Sequence, residues 1–295
     1  MLSTTHTLIY DKGKSITLEG VSRAGDKTII MVKELNIIFD YGANLETSHS
    51  YDNILISHGH NDHIGQLHTH HPTRKLNKNM KEKIYVMPKK CIQKFQMIAT
   101  CVSYMNCGRD DDCTKPFDDF IATRMIESEK CNGIRLLNNS NKESNYIVNA
   151  YAMTHKITCY GYIISMISKK LKDEYKGLKG DVLKTIDDKQ KLYDCITPII
   201  GYTGDTTITG VINNDNFLNV PILIMECTFF DSTTKEDALH GYHIHFDDIV
   251  SNIHLFKNKF IVLFHISQIY RTRDELQKII DNSMIEDKSR IVLFY

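Results

Sequence analysis

Ten short apolar runs are spread along the chain, and this pattern limits the fold more than any other feature. The runs are short and bounded by polar or glycine residues, as buried strands usually are. Helical patterns at 88–106 and 246–258 lie between some of them. This mixture favours a layered α/β architecture. The runs cover residues 27–32, 35–42, 51–59, 83–88, 146–155, 160–167, 199–205, 220–229, 259–267 and 290–295.

Six of these runs end in a side chain that can bind a metal or transfer a proton. Proteins usually build their sites in loops at the ends of rigid strands. Each residue alone reads as an ordinary turn residue, but six such coincidences in one chain favour a shared site. The six residues are Asp40, His58, His155, Asp205, Glu226 and His265.

Composition narrows the class of protein. A chain of 295 residues with 42% hydrophobic content is long enough for a substantial core, and we expect one domain over 1–295. The 36 basic and 36 acidic residues cancel, so a nucleic acid would have to be held by local patches. The N-terminus has no continuous apolar core, and no apolar run reaches the length of a membrane span. We therefore expect an intracellular protein, in the cytoplasm or the nucleus, with no membrane partner.

Residues 168–195 differ in character from the rest of the chain. Lysine is dense there, acidic residues are interspersed, and Gly177 and Gly180 interrupt the helical pattern. One interpretation is a solvated surface helix and loop. The other is an arm-like basic insertion that holds a polyanion. A second basic stretch at 70–83 allows the same two interpretations.

The stretch SHGHNDHIGQL, residues 57–67, concentrates candidate metal ligands. His58 and His60 alternate by two, which places both rings on one side of an extended chain. Asp62 and His63 follow a turn at Asn61 and are free to face a second point. Imidazole and carboxylate are ligands that Zn²⁺ favours. The motif therefore offers two ligand pairs, one for each of two ions.

Two ions need more ligands than this stretch contains. The strand ends supply His155, Asp205 and His265, and Asp205 is the best candidate for a carboxylate between the ions. A lone histidine at a sheet edge is more often only hydrogen-bonded. The HxHxDH motif in the same chain reverses that judgement for His155 and His265.

Several motifs, in order over residues 35–273, resemble those of the metallo-β-lactamase superfamily. Within it, the similarity is greatest to short-form ribonuclease Z, the transfer-RNA 3′-processing endonucleases. HxHxDH alone specifies only the superfamily, whereas the pair Glu226 and His243 points to the nuclease. The motifs are FDYG (39–42), SHGHNDHIGQL (57–67), GYTGDTT (201–207), MECTFFD (225–231), HGYHIHFDDI (240–249) and FHISQIYR (264–271).

The resemblance implies a four-layer αβ/βα sandwich of two mixed β-sheets flanked by helices. It implies an enzyme that removes the 3′ trailer from precursor tRNA and leaves a 3′-hydroxyl, by attack of a metal-bridging hydroxide on phosphorus. It also implies a homodimer, in which the arm of one subunit serves the other's site. Two Zn²⁺ ions per chain are expected, with Mn²⁺ or Mg²⁺ as substitutes.

The resemblance also assigns the metal ligands. One ion would be held by three histidines, the other by Asp62 with two histidines, and Asp205 would lie between the ions. The first set is His58, His60 and His155; the second is Asp62, His63 and His265.

Further roles follow from the same motifs. Asp62, Glu226 and His243 would be catalytic. His243 would be the proton donor, and Glu226 would orient and charge its imidazole. His245, two residues on, is the competing donor. The candidates for phosphate contact are Thr206, Ser267 and Arg271, and Asp40 would hold a ligand-bearing loop.

The chain departs from the family at three places, one of which is Met225, where many members have histidine. Two other functions also stay open. Ile269 stands where the family has an arginine, so Arg271 or Arg273 would have to replace it. The family's N-terminal glycine-rich loop is not recognisable at 18–25. The alternatives are another hydrolase of this fold, acting on a small phosphodiester, thioester or lactone, and a non-catalytic binding or assembly subunit.

Overall fold

The first sheet is built from the N-terminal part of the chain. The computed structural model describes residues 3–73, 82–108 and 123–295. Seven strands lie side by side in the order of the sequence. They are β1 (Thr4–Asp11), β2 (Lys14–Arg23), β3 (Lys27–Val32), β4 (Ile37–Phe39), β5 (Asn53–Leu55), β6 (Lys83–Met87) and β7 (Thr123–Glu127). Strands β1 to β4 pair antiparallel, and β4 to β7 pair parallel.

The second sheet also has seven strands, again neighbours in the order of the sequence. They are β8 (Ile134–Leu137), β9 (Glu143–Met153), β10 (Cys159–Leu171), β11 (Leu192–Tyr202), β12 (Ile222–Glu226), β13 (Phe260–Phe264) and β14 (Ile291–Leu293). Strands β8 to β11 pair antiparallel, and β11 to β14 pair parallel. Both sheets are therefore mixed.

Helices connect the strands and cover the sheets. They are α1 (Asn61–Ile64), α2 (Leu67–Thr73), α3 (Lys89–Cys107), α4 (Gly180–Thr185), α5 (Asp188–Lys191), α6 (Ile208–Ile212), α7 (Asp215–Asn219), α8 (Lys235–Gly241), α9 (Phe246–Asn252) and α10 (Arg273–Asn282). In the described part of the chain, no helix is both long and apolar enough to cross a membrane.

The core forms three apolar layers, and these layers explain the architecture. The largest cluster fills the space between the sheets, where Phe39 and Tyr202 stack across the interface at 4.7 Å between ring centroids. A second cluster packs α6, α7, α9 and α10 against the outer face of the second sheet. A third packs α2 and α3 against the outer face of the first sheet. The predicted αβ/βα sandwich with two mixed sheets is confirmed.

The ten predicted strands all exist, although their bounds shift, most of all for the run at 199–205, where β11 already begins at Leu192. The run at 27–32 coincides with β3, and the helical pattern at 88–106 corresponds to α3. The second helical pattern ends sooner than predicted, at Asn252, where a 3₁₀ turn follows. Four strands, β1, β2, β7 and β8, were not predicted. In β1 half of the residues are exposed, and its polar residues dilute the apolar pattern.

The two ends of the lysine-rich segment are strands that form a hairpin, and the part between them is surface helix and loop, as the first interpretation expects. The β10–β11 ladder continues from Ser168 opposite Cys195 to Leu171 opposite Leu192. The short helices α4 and α5 lie between these strands, and neither contains a buried residue. The residues next to the core are strands and not helix, because they extend the hydrogen-bonded pairing of β10 and β11 that begins inside the sheet. Most of the second basic stretch, 70–83, lies outside the described residues.

Candidate metal centre

The candidate site lies at one edge of the molecule because of how the parallel strands run. Strands β4 and β5 are parallel, as are β11, β12 and β13, so their carboxyl ends meet at a common edge of each sheet. Open α/β sheets commonly place their sites there. Asp40 directly follows β4, Glu226 ends β12 and His265 follows β13. The strand-end pattern in the sequence therefore becomes a cluster in space.

The first ligand group contains three histidines and Asp205, with one donor atom from each lying within 4.8 Å of the others. His58 Nε2 lies 2.9 Å from His60 Nδ1 and 3.6 Å from Asp205 Oδ2. His155 Nε2 lies 3.4 Å from the same His60 nitrogen. The donor atoms therefore converge on one point.

The second group contains Asp62, His63 and His265. Asp62 Oδ2 lies 3.5 Å from His63 Nε2 and 3.3 Å from His265 Nε2. Asp205 faces this group as well, because its Oδ1 is 3.3 Å from His63 Nε2 and its Oδ2 is 3.4 Å from His265 Nε2. The two groups contain the residues that the sequence motifs assigned to each ion, with Asp205 between them.

Two buried atoms of this cluster indicate that a cation fits it. His63 Nε2 and Asp205 Oδ1 are buried and have no hydrogen-bond partner among the described residues. Buried polar atoms rarely stay unpaired, because their lost hydration then goes uncompensated. Imidazole nitrogen and carboxylate oxygen are both donors that divalent metal ions accept. The residues present therefore fit a divalent metal.

The motif between the two groups is a short helix, whereas the sequence predicted a turn at Asn61. His60 stands at the N-terminus of α1, and Asp62 and His63 lie in its single turn. The backbone N–H of Gly25, in the turn between β2 and β3, donates to Asp62 Oδ2 at 2.8 Å. This contact spans 37 residues, so no local signal in the sequence reveals it.

Asp40 organises the buried side of the cluster. Its backbone is left-handed, with φ of 55°, a conformation that is uncommon for a residue other than glycine. Its Oδ2 accepts from His63 Nδ1 at 2.6 Å and from the Tyr202 hydroxyl, and its Oδ1 accepts from the Ser57 backbone N–H at 2.7 Å. Because Nδ1 of His63 is occupied in this way, its Nε2 faces the ligands. Ser57 and Tyr202 were not among the residues expected from the sequence.

The pKa is lowered for three of the cluster's histidines and raised for a fourth. Burial lowers the pKa of His58, His60 and His155, most of all for His58. Their nitrogens are therefore neutral and ready to bind a metal at neutral pH. Burial acts in the same direction on His63, but the carboxylates of Asp205 and Asp40 outweigh it and raise the pKa of His63 well above its usual value.

The two carboxylates of the cluster stay ionised. Burial alone would raise the pKa of Asp62 and Asp205. The neighbouring histidines outweigh burial and hold the pKa of both carboxyls below its usual range. Both side chains therefore present full negative charge to a bound cation.

A buried Glu226–His243 pair adjoins the cluster. Glu226 is fully buried, and its Oε1 accepts from His243 Nδ1 at 2.9 Å. The His243 ring lies 5.3 Å from the His155 ring and 5.2 Å from the His265 ring, measured between centroids. Burial lowers the pKa of His243, but the charge and hydrogen bond of Glu226 prevail and raise it to about 9. His243 is thus a protonated group beside the ligands.

His245 has a different environment. Its Nε2 donates to the backbone oxygen of Asp231 at 2.8 Å, and its Nδ1 accepts from the backbone N–H of Asp247 at 3.1 Å. It caps the N-terminus of α9 and is nearly fully buried. The structure therefore does not bring His245 to the metal ligands.

The candidates for phosphate contact lie in unequal positions. The Thr206 hydroxyl is already engaged, accepting from the Thr154 backbone N–H at 3.2 Å and donating to the Thr207 carbonyl at 3.2 Å. Ser267 is half-buried, and its hydroxyl oxygen accepts from the Ile269 N–H at 3.4 Å.

Neither candidate arginine is a fixed part of the site. Arg271 is exposed, and its backbone N–H donates to Glu275 at 3.3 Å. Arg273 is also exposed and lies near His6, whose pKa is lowered by burial and by this arginine. The family's arginine position, Ile269, is 55% exposed.

Comparison with known proteins decides the family. The chain is 31% identical to tRNase Z TRZ1 of Arabidopsis thaliana over 262 residues, 87% of each chain. The chain belongs to the tRNase Z family. It is 28% identical to the chloroplastic tRNase Z TRZ2 of the same plant over 268 residues, covering 88% of this chain and 70% of that protein. No family model matches the chain.

Solved structures support the fold of this tRNase Z family member. Human tRNase Z, short form (ELAC1), aligns over 98% of this chain and 93% of its own, with a TM-score of 0.50 and 16% identity. The metallo-β-lactamase fold protein YhfI of Bacillus subtilis aligns over 92% of both chains, with a TM-score of 0.57 and 14% identity. At these identities the likeness concerns the fold alone.

Proposed function

We propose that this protein is a zinc-dependent endoribonuclease that removes the 3′ trailer from precursor tRNA and leaves a 3′-hydroxyl on the tRNA. Its relatives are named tRNase Z. The observation that carries the proposal is the Glu226–His243 pair beside two groups of metal ligands. A phosphodiester has a poor leaving group, an alkoxide, and this pair supplies a proton donor for it.

We assign two zinc ions to the two ligand groups, with Mn²⁺ or Mg²⁺ as substitutes. When bound, such ions lower the pKa of water to supply a nucleophile, and they neutralise charge on the phosphate. One ion would be held by three histidines and the other by Asp62 with two histidines, and Asp205 would contact both. These ligands are His58, His60 and His155 for the first ion and Asp62, His63 and His265 for the second.

Proton transfer falls to His243. Its Nδ1 donates to Glu226, so its Nε2 is the atom that gives a proton to the departing 3′-oxygen. Glu226 is fixed in turn by the Thr228 hydroxyl at 2.9 Å and the Ile244 backbone N–H at 3.1 Å. Asp62, whose Oδ2 accepts from the Gly25 backbone N–H, would help to hold a cation and would accept a hydrogen bond from the attacking water.

Ser267 and Arg271 would contact the phosphate of the substrate. Among the described residues no acceptor takes the hydroxyl hydrogen of Ser267, so that hydrogen is available to a phosphate oxygen. Arg271 is exposed and long enough to reorient toward a bound anion. Thr206 supports the site differently, because its backbone N–H donates to Glu226 at 2.9 Å. We therefore treat Thr206 as a positioning residue.

A cleavage assay tests the proposal. The zinc-loaded protein should cut a precursor tRNA with a short 3′ trailer, and removal of the metal by a chelator should abolish the cutting. Bis(p-nitrophenyl) phosphate, offered in parallel, detects a hydrolase of small substrates. Hydrolysis of this ester without cleavage of the precursor would contradict the proposal, and inertness toward both would favour a binding or assembly subunit.

We also propose a homodimer, in which the lysine-rich hairpin at 168–195 of one subunit, called the ribbon below, reaches the site of the other. The resemblance to short-form enzymes is the support for this assembly. The lysines of the ribbon and its extension beyond the core of the sheet suit it to contact RNA. Light scattering at micromolar concentration should give twice the mass of the 34.0 kDa chain. A monomer with full activity would contradict the assignment.

A further inference from the structure

A groove of about 730 Å³ opens beside the candidate metal centre. Its wall includes Gly59 and Asn61, which flank the ligand His60 in the sequence. The wall also includes Lys156, which directly follows the ligand His155. The groove therefore lies next to the candidate metal centre, on the side of the first ligand group.

The charge of the groove suits an anion. Lys90, Lys94 and Lys156 line it, and all three are exposed. None of the described residues that line it is acidic. Lys90 and Lys94 are four residues apart in α3, so their side chains lie on one face of that helix.

Apolar side chains occupy the same wall. Ile98 is one turn beyond Lys94, and it is 53% exposed. Ile157 is 39% exposed on the facing turn between β9 and β10, and Phe95 forms the buried floor. Apolar or aromatic surface for bases beside lysines for phosphates is the combination that binds single-stranded nucleic acid.

We propose that this groove binds the first nucleotides of the 3′ trailer, an inference that rests on the proposed function. The departing 3′-oxygen belongs to the tRNA and is protonated by His243, which belongs to the second sheet and its helices. The groove is formed largely by α1 and α3, on the first sheet. The cut phosphate stays on the trailer, and the three lysines of the groove would hold the phosphates that follow it.

The chemistry of the groove also selects the trailer over the body of the tRNA. Bases of the acceptor stem are paired and stacked within a duplex, so they cannot lie against Ile98 and Ile157. Bases of a single-stranded trailer are free to do so. Lys90 and Lys94 would contact successive phosphates of that strand.

The test uses the double variant Lys90→Gln, Lys94→Gln in the full chain. Both side chains are exposed, so the change removes charge without disturbing the core. The matched control is Lys257→Gln, Lys278→Gln, two exposed lysines in the part of the chain that covers the second sheet. The probe is a 5′-phosphorylated single-stranded RNA of about six nucleotides, followed by fluorescence anisotropy at several salt concentrations.

The groove variant should bind this RNA about 3- to 10-fold more weakly than the wild type, as expected when two lysine–phosphate ion pairs are removed. The slope of log K against log salt should become shallower by roughly 0.7 for each of these ion pairs. The control pair should leave both quantities unchanged. Equal affinity in the groove variant and the wild type would overturn the proposal.

A cleavage assay then tests whether the groove contacts the trailer. Precursors with trailers of one and of about ten nucleotides are compared, a range set by single-strand site sizes. The groove variant should lower the ratio of kcat/KM for the long trailer to that for the short one, and the control should not. An unchanged ratio with both rates lowered would place the lysines against the tRNA body and contradict the assignment. Failure of the wild type to cut either precursor would instead contradict the proposed function.

Discussion

His63 donates a hydrogen bond from Nδ1 to Asp40 at 2.6 Å, and both side chains are completely buried. This contact joins two segments that are 23 residues apart and orients the imidazole so that its Nε2 faces Asp62 and Asp205. Partners of this kind fix the ring and raise the basicity of a ligand histidine. Asp40 therefore governs the second ligand group without belonging to it.

The first prediction concerns Asp40→Asn. The amide keeps the shape of the side chain but removes the charge that holds Nδ1–H of His63. Zinc affinity should fall by about 10- to 100-fold, the usual cost of losing such a partner. Competition with a chelator measures the affinity. Tyr202→Phe, which removes only one hydrogen bond to Asp40, is the matched comparison and should cost less. Wild-type affinity in Asp40→Asn would refute the role of this contact.

The second prediction concerns proton release on metal loading. The pKa of His63 in the metal-free protein is raised well above its usual value by the carboxylates of Asp205 and Asp40, so its Nε2 keeps a proton to higher pH than an ordinary histidine does. A metal must displace that proton to bind. Calorimetric titration of the metal-free protein with zinc, in buffers of different ionisation enthalpy, counts the protons released.

The count should be larger in the wild type than in Asp40→Asn, by at most one proton per chain, because the substitution removes Asp40 but leaves Asp205 to raise the pKa of His63. Water bound to the metal also releases protons, but it does so in both proteins. The difference between the two counts therefore reports on His63. Equal counts would contradict a role for Asp40 in the protonation of His63.

The third prediction concerns pH and the Glu226–His243 pair. His243 must be protonated to act as donor, and Glu226 raises its pKa to about 9. RNA cleavage should therefore fall as the pH rises through this pKa. In Glu226→Gln the raising charge is lost, so the fall should begin at lower pH. The pH profile of kcat checks this, and an unmoved alkaline limb would contradict the pairing.

The fourth prediction separates the two neighbouring histidines. His243→Ala should lower the rate of RNA cleavage by about 10²- to 10⁴-fold, the usual contribution of a general acid. Hydrolysis of bis(p-nitrophenyl) phosphate should suffer far less, since nitrophenolate leaves without a proton. His245→Asn is the control, because asparagine preserves the cap of α9. A larger loss of RNA cleavage in His245→Asn than in His243→Ala would reverse the assignment.

Much of the site was accessible from sequence because its residues stand at strand ends. A run such as ILIM followed by Glu226 contains both the element and the side chain that it positions. The carboxyl ends of parallel strands share an edge, so these residues converge once the sheets form. This is why short local patterns located the ligand candidates before any long-range contact was known.

The contacts that tune the ligands were not accessible in this way. Gly25 holds Asp62, and Tyr202 holds Asp40 from 162 residues away, and neither residue has a distinctive local pattern. The sequence favoured His243 as proton donor but left His245, two residues on, as a competing candidate. The chain turns into α9 at His245, which separates the two rings. These contacts depend on how distant segments pack together, which local patterns in one sequence do not indicate.

The products of one reaction test the proposed chemistry most directly. Zinc-loaded wild type and Asp62→Ala are each given a precursor tRNA with a 3′ trailer, and both new ends are identified. We predict a tRNA with a 3′-hydroxyl and a trailer with a 5′-phosphate from the wild type. We predict no product from a folded Asp62→Ala protein. A 3′-phosphate on the tRNA, or full cleavage by Asp62→Ala, would contradict the proposed chemistry.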